Sequence, residues 1–180
     1  MQRSQAFDLA AYEQRTRGPC FICEMLAGNP AYRHHLLYQD QMAVIFLSRY
    51  PTLAGYTLGA PRAHREQATA DFSLEEYLAL QRLIYWVAEA IRRVVPTERI
   101  YILTLGSQQG NRHVHWHVAP LPPGLPIDEQ QAAILDLGQG ILPLAEEEMA
   151  ALAQAIRRAL DRFHPDSTGM QTRQSPPGGA

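Results

Sequence analysis

Hydrophobic residues follow two periodicities along the chain, and together they predict a mixture of strands and helices. Short runs rich in β-branched and aromatic residues, bounded by proline or glycine, predict strands. Longer stretches with apolar residues three or four positions apart predict amphipathic helices. The combination favours an α+β domain built on an antiparallel sheet. The predicted strands cover 37–48, 56–60, 98–105 and 112–119, and short helices are expected over 21–28 and 128–137.

A long central helix is predicted to begin after Ser73. Ser73 can cap the helix while Glu76, three positions on, completes a capping box, and Pro96 ends the helix. A second amphipathic helix is predicted over 144–163. The apolar residues at helical spacing, expected in the core, are Leu80, Leu83, Ile84, Val87, Ala90, Ile91 and Val94 in the first helix, and Met149, Leu152, Ile156, Leu160 and Phe163 in the second.

The pattern weakens towards both ends of the chain. Residues 1–18 are expected to form a polar, partly helical arm. A single domain over 19–164 follows, with a core in 20–120 and a helical extension in 128–164, because 180 residues suffice for one substantial core. Residues 165–180 are rich in proline, glycine, serine and glutamine and are predicted to be disordered.

Composition narrows the class of protein. With 46% hydrophobic and 19% charged residues, the chain has the composition of a globular protein. A net charge of −2 argues against electrostatic binding of nucleic acid over a broad surface. The first thirty residues carry charges and lack an apolar signal core, and the apolar stretches are too short to span a bilayer. We therefore predict a cytoplasmic protein with no membrane partner.

Three histidines lie at alternate positions of the last predicted strand. His113, His115 and His117 should point to one face, while Val114 and Trp116 point to the core. Neighbouring imidazoles on one face would repel one another if protonated, so they call for an anion or metal ions as a partner. A zinc hydrolase with two of these histidines on a catalytic metal is one alternative, although no carboxylate ligand lies beside the strand.

We favour a second chemistry, in which one imidazole acts as a nucleophile towards phosphorus. Imidazole is partly neutral near pH 7, and the N–P adduct that it forms is readily displaced by water. The loop at 106–111 leads into the strand, and its amides and side chains can cradle phosphate oxygens.

Cys20 and Cys23 are the only cysteines and have the spacing of half a zinc site. The remaining two ligands would then be histidines. The candidates are His34, His35, His64 and one of the three alternating histidines His113, His115 and His117. A pair of reduced thiols is an alternative, and a redox pair is less favoured because no βαβ pattern surrounds the motif.

The segment His113-Val-His-Trp-His-Val-Ala119 resembles the signature of the histidine triad (HIT) superfamily, in which histidines alternate with apolar residues. The resemblance extends from about Cys20 to Pro120. It includes the opening segment Cys20–Pro30, a first strand at Tyr38–Leu47, and the turn and second strand at Pro51–His64.

The resemblance implies a five-stranded antiparallel sheet with flanking helices and a homodimer formed through the long helix and a strand. It also implies roles for individual residues. His115 would attack the α-phosphorus, the backbone carbonyl of His113 would orient the His115 ring, and His117 and Gln109 would contact phosphate. A structural zinc ion would bind Cys20, Cys23, His64 and His113, and the nucleoside would lie against Phe21, Ile22, Met25 and Phe46.

Some positions depart from the pattern of the superfamily. Ser48 stands where relatives often place an Asp or Asn that holds the ribose hydroxyls. Recognition of the ribose through Ser48 would therefore differ from the common pattern. Gly110 replaces a hydroxyl residue, and the segment Ala119–Gly124 lacks the Pro-Arg continuation of several polyphosphate-processing branches.

These observations predict a nucleotide hydrolase that cleaves at an α-phosphorus through a nucleotidyl-histidine intermediate. Its substrate would be a dinucleoside polyphosphate, a nucleotidyl phosphoramidate or a related adduct. Zinc would be structural, and no organic cofactor is expected. A nucleotidyltransferase or phosphorylase that uses the same intermediate, and a nucleotide-binding adaptor with little turnover, are the alternatives.

Overall fold

The computed structural model describes residues 5–105 and 111–163. The predicted tail over 165–180 and the loop residue Gln109 lie outside the described residues. Two 3-10 turns lie at Pro30–Tyr32 and Leu137–Gln139. The helices are α1 (Leu9–Thr16), α2 (Phe21–Leu26), α3 (Leu74–Arg92), α4 (Gln130–Leu135) and α5 (Glu146–Leu160), and the strands are β1 (Leu36–Gln39), β2 (Ala43–Leu47), β3 (Thr57–Pro61), β4 (Arg99–Thr104) and β5 (Trp116–Leu121).

The five strands form one antiparallel sheet in the order β1-β2-β3-β5-β4. This confirms the predicted fold class. The central pair, β3 and β5, places Thr57 opposite Val118 and Leu58 opposite His117. The third histidine of the triad therefore lies in the middle of the sheet, next to residues that come sixty positions earlier in the chain.

The single strand predicted over 37–48 is instead a hairpin of β1 and β2. The Asp40 carboxylate accepts hydrogen bonds from the backbone N–H groups of Met42 and Ala43, at 2.8 and 2.7 Å. This side-chain cap turns the chain at the polar segment Gln39–Gln41, which separates two apolar runs. The extra strand accounts for five strands where the hydrophobic pattern alone predicted four.

The strand predicted to begin at residue 112 begins only at Trp116. The backbone N–H of Val114 donates to the carbonyl of Arg65 at 2.7 Å rather than to a neighbouring strand. The carbonyl of His115 accepts from the hydroxyl of Thr104 at 2.9 Å. Residues 113–115 therefore approach the sheet as an irregular segment, although the predicted alternation of faces persists, with Val114 and Trp116 buried.

Helices α3 and α5 cover one face of the sheet. Ser73 and Glu76 form the predicted capping box at the start of α3. Although α3 has 19 residues, no helix in the described part of the chain combines the length and apolar character needed to cross a membrane. The buried residues of the two helices are Leu80, Leu83, Ile84, Val87, Ala88, Ala90 and Ile91 in α3, and Met149, Ala153, Ile156, Ala159 and Leu160 in α5.

The other face of the sheet carries a smaller core and is left open beside the triad. Ile22 of α2 packs there against Phe46 of β2 and Leu58 of β3. The predicted N-terminal arm contains α1 and lies against the domain, since Phe7 and Tyr12 contact the ring of Tyr50. This arrangement places α1 at the rim of the open face.

Candidate active site and metal centre

Two cysteines and two histidines converge at the start of α2. The ligand atoms of Cys20, Cys23, His64 and His113 all lie within 4.8 Å of one another. The Nδ1 atom of His113 is 3.5 Å from the sulfur of Cys20 and 3.6 Å from that of Cys23, and Nδ1 of His64 is 3.3 Å from the Cys23 sulfur. Typical zinc–sulfur and zinc–nitrogen bonds give a tetrahedron whose S–N edge is about 3.6 Å, so these atoms fit one zinc ion.

The second nitrogen of each histidine ring has an oxygen partner. Nε2–H of His113 donates to the carbonyl of Pro61 at 2.9 Å, and Nε2 of His64 lies 3.5 Å from a carboxylate oxygen of Glu66. Such bonds fix the ring orientation and direct the Nδ1 lone pair towards a metal. Four protein ligands complete a tetrahedral shell, which is the pattern of structural rather than catalytic zinc. The donor geometry therefore supports the predicted structural zinc ion.

The protonation states of the cluster also suit a metal ligand set. Burial lowers the pKa of His113 to about 4, so its ring is neutral at pH 7. Burial and the neighbouring Cys20 raise the pKa of Cys23 to about 11 in the protein alone. Since the thiolate is the form that binds metal, a cation is needed to hold this sulfur deprotonated at neutral pH.

Among the described residues, His113 is the one triad member that joins the metal cluster. His115 is oriented differently, because its Nδ1–H donates to the backbone carbonyl of His113 at 2.7 Å. Burial lowers the pKa of His115 below its usual value. The ring is therefore neutral near pH 7, with its proton on Nδ1 and a free lone pair on Nε2.

His117 has the complementary arrangement of its proton. The hydroxyl of Tyr56 lies 3.0 Å from Nδ1 of His117. Burial raises the pKa of the Tyr56 phenol, which therefore remains protonated and donates this hydrogen bond. Burial and the nearby His115 lower the pKa of His117 to about 3, so its own proton lies on Nε2. The rings of His115 and His117 are 4.9 Å apart, and they present an acceptor nitrogen and a donor N–H side by side.

Aromatic side chains continue from His115 along the open face of the sheet. The ring of Phe21 lies 6.1 Å from that of His115 and 5.6 Å from that of His34. His34 also contacts Phe46, with ring centroids 5.0 Å apart. Phe21 and His34 line a pocket of about 320 Å³, which Ser48 also lines. The pocket therefore begins within ring contact of the triad.

The residues predicted to contact a nucleoside occupy different depths. Phe21 and Ser48 line the pocket, and Met25 is half-buried beside it in the smaller core. Ile22 and Phe46 are 0% exposed and do not line the pocket, although Phe46 contacts the lining residues Phe21 and His34. The predicted phosphate ligand Gln109 falls outside the described residues.

Several residues of the site carry no clear signal in the sequence. Tyr56 reaches His117 only because β3 pairs with β5 in one particular register. His34, one of the candidate metal ligands, is half-buried outside the metal cluster, with Nδ1 2.7 Å from the carbonyl of Tyr32. Tyr12 and Arg15 of the arm also line the pocket. Sequence spacing alone does not bring these distant segments together. His35, another candidate metal ligand, instead lies 3.1 Å from a carboxylate oxygen of Glu146.

The sheet order, the metal-ligand cluster and the different hydrogen-bond partners of His115 and His117 can be compared with those of known proteins. No family model matches the chain. A curated relative, an uncharacterized HIT-like protein of Saccharolobus solfataricus, is 27% identical over 104 residues, which cover 56% of this chain and 73% of the relative.

Solved structures share the fold at low sequence identity. A hypothetical histidine triad nucleotide-binding protein of Sulfolobus tokodaii superposes with a TM-score of 0.65 at 20% identity, covering 80% of this chain and 93% of its own. A zinc-bound histidine triad family protein of Mycobacterium smegmatis gives 0.63 at 20% identity, covering 82% and 96%. The motif, the fold and these relatives support the assignment of the chain to the histidine triad superfamily, as the sequence predicted.

Proposed function

We propose that this protein is a nucleotide hydrolase that cleaves at an α-phosphorus through a covalent nucleotidyl group on His115. The observation that carries the proposal is the hydrogen bond from Nδ1–H of His115 to the carbonyl of His113, at 2.7 Å. It leaves the Nε2 lone pair free and fixes the ring plane. A positioned neutral imidazole beside an N–H donor suits nucleophilic attack on a phosphate ester.

The reaction would proceed in two displacements. Nε2 of His115 forms a bond to the α-phosphorus while the bond from phosphorus to the leaving group breaks, and the leaving group takes up a proton from water as it departs. Water then attacks phosphorus and gives up a proton to the solvent, the N–P bond breaks, and a nucleoside monophosphate and the free His115 ring are released. The Nε2–H of His117 donates to a phosphate oxygen, where negative charge increases in both transition states.

The pocket beside Phe21 offers a place for the nucleoside of this substrate. Its volume, about 320 Å³, is within the range of small-molecule sites, and aromatic rings line it next to the nucleophile. The Sulfolobus tokodaii relative is described as nucleotide-binding, which agrees with this placement.

Zinc has a structural role in this proposal. Cys20, Cys23, His64 and His113 would hold it, and the Mycobacterium smegmatis relative is described as zinc-bound. When bound, the ion supplies a rigid cross-link between α2, the segment after β3 and the segment before β5. Because the His113 carbonyl orients His115, this cross-link also fixes the position of the nucleophile.

The test compares His115→Ala with His35→Gln, a matched change of a histidine outside the pocket. Incubation with adenosine 5′-phosphoramidate or a diadenosine polyphosphate, followed by intact-mass measurement after rapid acid-free denaturation, should reveal a nucleotidyl adduct on the wild type and on His35→Gln. His115→Ala should lack the adduct and lose turnover by several orders of magnitude while it still binds adenosine monophosphate. Equal turnover in the two variants would overturn the proposal.

The same measurement separates the alternative activities. A nucleotidyltransferase would form the adduct and pass it to phosphate or another acceptor faster than to water. A binding adaptor would retain the ligand and form no adduct, in the wild type as in His115→Ala.

We also propose that the protein forms a homodimer through α3 and β4. Leu78 and Tyr85 on α3 are 55% and 60% exposed, and Ile102 on β4 is 46% exposed. β4 is an outer strand of the described sheet, so its free edge is available to a partner. Sedimentation equilibrium should give twice the chain mass for the wild type and the single-chain mass for Tyr85→Arg, and a monomeric wild type would contradict this proposal.

A cytoplasmic location accompanies these proposals. Cys20 and Cys23 are free thiols in the structure, and a thiolate metal site is favoured where thiols stay reduced. Fractionation of the native cells with detection of the protein would test it.

A further inference from the structure

The pocket beside the triad is lined by two positively charged side chains. Arg15 of α1 and Arg49, which follows β2, both line it. Among the described residues of its lining, none is acidic. The charged groups of the described lining are therefore cationic, although the protein as a whole carries a net charge of −2.

Both arginines contact the ring of Tyr50. The guanidinium carbon of Arg15 lies 5.6 Å from the centroid of the Tyr50 ring, and that of Arg49 lies 5.9 Å from the same centroid. Each contact is within the range of a cation–π interaction. Phe7 and Tyr12 pack on the same ring and fix the arm that carries Arg15. Both guanidinium groups are thus placed by packing rather than by ion pairs.

The donors of these arginines are largely unused within the protein. Arg49 donates from Nη1 to the carbonyl of Ala31 at 2.8 Å, and a guanidinium has five N–H donors. Within the described part of the chain, neither Arg15 nor Arg49 makes an ion pair with a carboxylate. Asn111, another lining residue, has a buried side-chain nitrogen without a described hydrogen-bond partner. The two arginines therefore hold exposed N–H donors for an anion, and Asn111 holds a further donor, unpaired among the described residues, that is buried in the lining.

We propose that this pocket binds a second anionic group of the substrate, so that the preferred nucleotide carries a phosphate on its ribose in addition to the reacting 5′-phosphate. The inference rests on the proposed function, which places the 5′-phosphate at His115. The sugar then lies along Phe21, and a phosphate at its 2′ or 3′ oxygen meets Arg15 and Arg49. Arginine pairs well with phosphate because its planar N–H groups match two oxygens at once.

The test measures binding of three ligands to the zinc-loaded full chain by calorimetry. The ligands are adenosine 5′-monophosphate, adenosine 2′,5′-bisphosphate and adenosine 3′,5′-bisphosphate. One bisphosphate should bind roughly tenfold more tightly than the monophosphate, as expected for new charge-assisted hydrogen bonds, and the advantage should shrink as salt is raised. Comparison of the two bisphosphates identifies which ribose oxygen carries the recognised group.

Charge-matched variants connect this preference to the pocket. The double variant Arg15→Gln/Arg49→Gln should lose the preference, so that it binds the bisphosphate and the monophosphate with equal affinity. Arg17→Gln removes the same charge from the same arm outside the pocket lining, so it should keep the preference. Thermal unfolding of each variant verifies that the arm and domain remain folded.

The outcomes separate this inference from the proposed activity. Equal affinity for the three ligands, or no binding of any of them, overturns the inference, as does an equal loss of preference in Arg17→Gln. If a phosphoramidate is hydrolysed through His115 but no bisphosphate is preferred, the proposed activity is supported and the second anion site is contradicted. If a bisphosphate is preferred but no nucleotidyl adduct forms, the second anion site is supported and the proposed hydrolase activity is contradicted.

Discussion

The hydroxyl of Tyr56 lies 3.0 Å from Nδ1 of His117 and determines which nitrogen of that ring carries the proton. Because the phenol donates to Nδ1, the proton of the neutral ring is held on Nε2. His115 has the opposite arrangement, with its proton directed at a backbone carbonyl. One partner on each ring thus leaves an acceptor nitrogen on His115 and an N–H donor on His117.

Replacement of this hydroxyl should impair chemistry more than binding. In Tyr56→Phe, the His117 ring can place its proton on either nitrogen, and the Nε2–H that we propose contacts phosphate would be present only part of the time. We expect kcat to fall roughly 10- to 100-fold, as for other residues that orient a functional histidine, with a smaller change in KM. Steady-state kinetics with a nucleotidyl phosphoramidate would measure both.

The matched control is Tyr85→Phe, which removes a hydroxyl from an exposed position on α3. It should leave kcat unchanged. If Tyr56→Phe kept the wild-type kcat while it lowered the unfolding temperature, the hydroxyl would have a purely structural role.

The burial of His117 predicts how stability changes with pH. In the unfolded chain its ring takes up a proton near pH 6.5, whereas in the folded protein the pKa is about 3. Between these values the unfolded state binds more protons, so the free energy of unfolding decreases as the pH falls. From pH 6.5 to pH 5 this group should remove roughly 2 kcal/mol of stability.

The contribution of His117 is isolated by a difference between two proteins. The wild type and His117→Gln have every other titrating group in common, including the metal ligands. The experiment is urea unfolding of both proteins at pH 7.5 and at pH 5. The wild type should lose more stability than the variant over this interval. Parallel losses in the two proteins would show that the ring is readily protonated in the folded state.

Removal of zinc should destabilise the domain without unfolding its larger core. The ion connects three separate segments, whereas the core under α3 and α5 does not depend on it. At free zinc a thousandfold above its dissociation constant, binding contributes about 4 kcal/mol to stability. Chelation should therefore lower the unfolding temperature, and Cys23→Ser should unfold at that lower temperature whether or not chelator is present.

Elemental analysis accompanies this measurement. The wild type and His35→Gln should each retain one zinc ion per chain after dialysis, and Cys23→Ser should retain much less. A wild-type protein that holds far less than one ion per chain and unfolds at the same temperature with chelator would contradict the structural role.

The sequence predicted those parts of the molecule that depend on local spacing. The capping box at Ser73 and Glu76 depends on residues three positions apart, and the ligands Cys20 and Cys23 likewise lie three positions apart. The β1–β2 hairpin was missed, although the three polar residues Gln39–Gln41 interrupt the apolar run at its turn. The turn is set by the Asp40 carboxylate, and the hydrophobic pattern does not indicate which polar side chain will accept hydrogen bonds from the backbone.

The parts of the site that the sequence did not predict come from long-range packing. Tyr56 meets His117 across two strands whose register is set by the whole sheet. Arg15 reaches the pocket because aromatic residues of the arm pack on Tyr50. Neither contact has a fixed separation in the chain, so neither leaves a periodic signal that a single sequence could reveal.

Gly55 allows Tyr56 to enter the sheet, and its replacement should affect both stability and turnover. Its φ is +81°, a conformation that costs other residues about 1 kcal/mol. A Cβ atom there would also lie 3.3 Å from a methyl group of Val95 and 3.4 Å from one of Ile91. We expect Gly55→Ala to lose about 2 kcal/mol, since crowding adds to the backbone strain.

Gly124 provides the control for backbone strain alone. Its φ is +86°, but a Cβ atom there would have no atom within 4 Å. Gly124→Ala should therefore lose about 1 kcal/mol and keep the wild-type kcat. Gly55→Ala should lose more stability and also lower kcat, because it shifts the residue that donates to His117. Chemical denaturation and steady-state kinetics measure the two effects, and equal values in both variants would show that the position of Tyr56 does not depend on this glycine.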